Sequence, residues 1–280
     1  MIVNQTALWI IFGVCLFLFC LGFLYRMFIW MEGTGEDGSK KISKCSKFVK
    51  CMGLFCKTLF SRKAPAMVKS FFADGIVHGN LLKDSMLKWI IHMFMFWGLA
   101  SFTLITILHV IAIAAAPNNM IDGSSPWFLM VFGTLENRFT ALVIDLSKLA
   151  ILGGAFIAVV RFLLLKKKYM SVELKDKSAG VIISIIAIFS FIYEASFFLA
   201  NQTPVAKAAF APAGYVLSLI LNFIPGVNWS ILAAVFFYAY ITALFLFCAY
   251  IPYGKYSHMV FGPVVAVYNK LSEGKHQDTK

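Results

Sequence analysis

Charge is what this chain has least of. Only 14% of its 280 residues are charged, and the acidic ones number 13. A soluble domain carries about a quarter charged residues, so a water-facing globule of this composition could not cover its own surface. Proline is scarce as well, at 8 residues, which excludes a proline-rich scaffold or linker. Cysteine stops at six, and Cys45, Cys51 and Cys56 follow a C-x5-C-x4-C pattern. That spacing matches neither the C-x2-C pairs of zinc sites nor the usual iron–sulfur runs, and reduced thiols are the plainer assignment. Internal repeats are lacking, and so is a soluble domain of useful size.

Apolar residues are abundant: 60% of the chain falls in AVILMFWYC, and 29 residues are Phe. Stretches of the roughly 20 residues needed to cross hydrocarbon occur near 8–30, 89–115, 139–165, 178–200 and 229–252. The expected fold is therefore an all-α integral membrane protein with five transmembrane helices. A sixth apolar stretch, 208–225, is shorter and is punctuated by Pro204, Pro212 and Pro225, which suits a helix lying in the interface or re-entering it.

The net charge of +12 admits nucleic acid or an anionic membrane face as its partner. Position separates the two, because cytoplasmic loops collect Lys and Arg. Of the 25 basic residues, 22 fall at or beside the first loop, the loop after span three and the tail. The expected topology has its amino terminus outside and its carboxyl terminus cytoplasmic, and nucleic acid is set aside. Span one has no basic residues before it and is too long for a secretory h-region, so it is taken as a retained helix. The organisation is then a first span over 1–30, a cytoplasmic basic loop with surface helices over 31–88, a four-helix membrane domain over 89–265 and a cytoplasmic tail over 266–280. Apolar and basic residues mix between Ala64 and Lys88, as in helices lying on the inner surface, where a soluble partner could dock.

Titratable side chains within a span cost several kcal/mol, so each is a functional candidate. His92 and His109 lie in span two, His258 just past span five. At 1.5 Å per residue the first two are about 25 Å apart along the helix, His92 toward the cytoplasm and His109 toward the outside. Neutral imidazole is the usual axial ligand of haem iron, and His258 is at the right end of its helix to face His92. Asp145 and Lys148 are three residues apart in span three, on one face and able to pair; Glu194 stands near the outer end of span four. With His109 these form an expected outer polar cluster. It suits either a structural ion pair or a proton-coupled site, since a quinol that gives up two electrons also releases two protons.

Three stretches carry a family resemblance: HMFMFWG (92–98), PYGKYSHMVFGP (252–263) and DLSKLAILGGAFIAVVR (145–161). Together they resemble the cytochrome b fold of the respiratory nitrate reductase gamma subunit, particularly the branch serving heterodisulfide-reductase-like and sulfate-reducer quinone-interacting complexes. The resemblance implies a prokaryotic cytoplasmic-membrane subunit that carries haem b. Such a subunit exchanges electrons between menaquinone or another quinone and a cytoplasmic iron–sulfur partner. It implies His92 and His258 as ligands of an inner haem, with Lys88, Arg161 and Lys255 near its propionates. It implies His109 as ligand of a possible second haem and Lys148 as the analogue of a quinol-binding lysine, and the quinone is then expected at the outer polar cluster of His109, Asp145, Lys148 and Glu194. Family members with two haems have a second histidine eighteen residues before the helix-five ligand; here that position is Tyr240. The competing classes are a proton-coupled small-molecule transporter and a non-redox membrane anchor. The sequons at Asn4, Asn201 and Asn228 receive no function.

Overall fold

A computed structural model describes residues 4–30, 64–116, 125–134, 137–164 and 174–254, with Gly53, Lys57, Phe60, Ser61 and Ser257 besides. Every regular element among the described residues is helical. In chain order they are α1 (Gln5–Trp30), α2 (Ala64–Ser70), a π-helical turn (Phe71–Ile76), α3 (Gly79–Asp84), α4 (Met86–Ala115), α5 (Trp127–Phe132) and α6 (Arg138–Leu164). Then follow α7 (Leu174–Ala200), α8 (Val205–Ala208), α9 (Pro212–Leu221), α10 (Trp229–Tyr250) and a 3-10 turn (Ile251–Tyr253). Helices α1, α4, α6, α7 and α10 are long and apolar enough to cross a membrane, and the chain is a multi-pass membrane protein of five spans. The proline-punctuated stretch yields the ten-residue α9, about 15 Å long, which is too short to cross.

Helix starts follow local chemistry. Asn4, Asn137 and Asn228 each accept from backbone N–H groups of the turn that follows, at 3.0–3.4 Å, as N-cap side chains do. Two of the three sequon asparagines are thus helix caps. The Gln5 amide donates to the carbonyls of Ile113 and Ala116 at 3.1 and 2.7 Å, meeting acceptors that the end of α4 leaves open.

The chain forms two compact units, one of Met1–Gly13 with Leu87–Leu246, the other of Val14–Met86 with Phe247–Lys280. In the first, α4 and α6 approach through small residues. A Cβ on Gly98 would lie 2.9 Å from the Ser147 carbonyl oxygen, and one on Gly154 would lie 2.8 Å from Met95 Cγ. The Ser101 and Ser147 hydroxyls share a hydrogen bond of 2.7 Å. Lipid supplies no hydrophobic drive between helices, so close backbone contact and interhelical hydrogen bonds hold such pairs. These contacts set an antiparallel register in which Arg161 comes opposite the Leu87–Lys88 turn and His109 opposite Phe139–Thr140.

In the second unit, the Tyr253 ring covers Gly22, where a Cβ would come within 2.5 Å of it. The Tyr253 hydroxyl donates to the Leu18 carbonyl (2.9 Å), and Arg26 donates to Ser257 Oγ (3.1 Å). The short helices α2 and α3 carry exposed apolar side chains, among them Val68 and Leu82, beside Lys69 and Lys83, the composition expected of surface helices.

Candidate functional site

Asp145 and Lys148 project from one face of α6 and are fully buried. The local spacing suggested that they pair with each other. Instead the Lys148 ammonium lies 2.5 Å from Glu194 Oε2 on α7 and 4.1 Å from the centroid of the Phe191 ring, whose negative face also attracts a cation. The Asp145 carboxylate turns to the start of α9, where Oδ2 accepts from Ala213 N at 3.1 Å and Oδ1 from Gly214 N at 3.0 Å. It thereby caps a helix from another part of the chain, in the place where partial positive charge gathers.

Gly214 makes that approach possible, because a Cβ there would overlap the Glu194 carboxyl group, 2.7 Å from Cδ. Two helices and the start of a third thus gather two carboxylates around one ammonium in a buried interior. Glu194 Oε1 has no hydrogen-bond partner among the described residues.

An aromatic stack borders the cluster. Tyr240 on α10 lies over Tyr193, which adjoins Glu194, with centroids 5.4 Å apart, and over Phe102 on α4 at 6.2 Å. All three rings are buried.

His109, the fourth expected member, is buried but lies elsewhere. In the α4–α6 register it stands opposite the start of α6, about 13 Å along the helices from the level of Lys148. Its Nδ1 is 2.5 Å from the Phe132 carbonyl, which fixes the proton on Nδ1 and leaves the lone pair on Nε2; that atom is buried without a hydrogen-bond partner among the described residues. One ring nitrogen tied to a carbonyl and the other left as a lone pair is the arrangement of a metal-ligating histidine. A bis-histidine outer haem nevertheless does not fit. Tyr240, at the position where a second ligand would stand, lies at the level of Phe102, seven residues or about 10 Å below His109, and its ring is held in the stack.

Near the other end of α4, His92 is half-buried and stacks on Phe96 at 6.0 Å. Lys88 lies one turn away on α4, and Arg161 comes opposite that turn with Nε buried and without a hydrogen-bond partner among the described residues. One imidazole with cations a turn away is compatible with one side of a haem edge and its propionates. Lys255, His258, Cys45, Cys51, Cys56 and the tail 266–280 lie outside the described residues.

Sequence reasoning missed Gly214, the N–H groups of Ala213 and Gly214, and the ring of Phe191. The A-P-A-G run (211–214) does signal a helix start, with Pro in its first turn, but nothing in it says which carboxylate will meet it. Comparison with known proteins finds no matching family model, no matching curated protein and no matching solved structure.

Proposed function

We propose that this chain is the membrane cytochrome b subunit of a respiratory redox complex in a prokaryotic cytoplasmic membrane, passing electrons between a quinone and a cytoplasmic iron–sulfur partner. The observation that carries the proposal is the presence, within one helical unit, of spanning-helix histidines together with a buried ionisable pair, Lys148–Glu194. Haem, when bound, supplies one-electron chemistry. On this chain His92 and His258 would hold its iron, and Lys88, Arg161 and Lys255 would offer cations to its carboxylates.

The chain's own residues handle the protons. A quinol that is oxidised sheds two of them, and a buried carboxyl group beside an ammonium can take one up once it has passed its own proton on, without exposing the site to water. Asp145 keeps α9 over that site. His109 presents its Nε2 lone pair farther out, where a proton can pass toward the outer surface. A proton-coupled transporter is the second reading, favoured because the Lys148–Glu194 pair needs no haem to exchange a proton.

The test is a dithionite-reduced minus oxidised spectrum of the purified protein. Bands of b-type haem are expected, lost in both His92→Ala and His258→Ala. A colourless protein that is correctly folded would overturn the cytochrome assignment and leave the transporter or the non-redox anchor.

A further inference from the structure

We propose that the Asp145–Lys148–Glu194 cluster is a binding site for one exchangeable proton, and that Glu194 Oε1 carries it. This specifies the proton site of the function proposed above, but it does not depend on haem.

Charge counting comes first. Two carboxylates and one ammonium leave one surplus negative charge in an interior where Asp145 and Lys148 are fully buried and Glu194 is 1% exposed. The start of α9 contributes roughly half a positive charge, which does not neutralise the surplus. A buried ion without full compensation is expensive enough that such groups take up a proton instead. One added proton makes the cluster neutral.

Hydrogen bonding then decides where that proton sits. Both oxygens of Asp145 accept backbone N–H groups, at 3.1 and 3.0 Å, so each already has a donor. Glu194 Oε2 is taken by Lys148. Glu194 Oε1, buried and without a hydrogen-bond partner among the described residues, is the one carboxylate oxygen of the cluster that no donor occupies. The titratable groups around it are Asp145 and Lys148 from α6, Tyr193 from its own helix and Tyr240 from α10; α9 presents only backbone N–H groups. Neither tyrosine supplies a positive charge to replace the proton. Lys148 is the counter-ion, and Asp145 is a positioning residue that holds α9 against the pair.

Infrared spectroscopy of the full-length protein in lipid vesicles at neutral pH tests this directly. The expected result is a carboxylic-acid C=O band that shifts when wild-type protein is labelled with 13C-glutamate, stays in place with 13C-aspartate, and is missing in Glu194→Gln. Labelling needs no substitution, so it stands even if the variant fails to fold. Absence of the band in wild-type protein, a shift with labelled aspartate, or persistence in folded Glu194→Gln would each overturn the proposal. A protein that shows the band and binds no haem would sink the cytochrome assignment and leave the proton site standing.

Discussion

Gly214→Ala puts the geometry of the cluster to a quantitative test. In an unconstrained helix the change from Gly to Ala is worth about 0.5–1 kcal/mol in favour of Ala. Here the added methyl would sit 2.7 Å from Glu194 Cδ and 2.9 Å from Cγ, inside van der Waals contact with a side chain that cannot swing into solvent. Overpacking of this kind costs about 1–3 kcal/mol. Relief requires either withdrawal of α9, which breaks its two hydrogen bonds to Asp145, or displacement of Glu194 from Lys148. Hydrogen bonds to a charged group are worth about 1.5–3 kcal/mol each, so either route costs more than the helix propensity returns. The expected net destabilisation is about 1–3 kcal/mol, read from denaturant unfolding in detergent. Gly13→Ala serves as the control, because nothing lies within 4 Å of the place its methyl would take on α1, and it should be neutral or slightly stabilising. If Gly214→Ala matched that control, the close approach of α9 to Glu194 and the cluster built on it would be refuted.

Other substitutions separate pairing from packing. Lys148→Met removes the one cation of the cluster, leaving its negative charge uncompensated, and should cost about 3–5 kcal/mol, the usual penalty for stranding one member of a buried pair. Combined with Glu194→Gln the losses should be less than additive, because Lys148→Met already removes the hydrogen bond to Glu194 Oε2; strict additivity in the double-mutant cycle would show that the two side chains do not interact. At His109, Ala removes both ring nitrogens and leaves the Phe132 carbonyl without its donor, a cost of about 1–3 kcal/mol. Asn can keep a donor in the Nδ1 position while removing Nε2, so it should unfold close to wild type; equal destabilisation by the two would refute the Phe132 tie.

Much of the scaffold was legible without coordinates. Each span is a local property of about 20 residues, and in hydrocarbon a helix satisfies its own backbone, which is why the apolar runs and α1, α4, α6, α7 and α10 nearly coincide. The shortness of α9 was legible for the same reason. The sequons could have been read differently: Asn4 and Asn228 precede apolar runs, where Asn is a cap residue before it is anything else.

Partner choice was not legible. Spacing placed Asp145 and Lys148 on one face of α6, and taken alone that favours a pair. Tertiary structure gave Lys148 to Glu194, 46 residues away, and Asp145 to backbone donors on α9, because in low dielectric each buried charge goes to the donors and acceptors that the fold brings closest. It likewise separated His109 from the other three by the register of α4 on α6, which two glycines and a serine pair determine. The sequence by itself determined that the chain spans a membrane five times and that a few polar groups must be buried there. Only the packing of the helices decided which of those groups meet, since the close approaches of Gly98, Gly154 and Gly214 depend on residues distant in the chain.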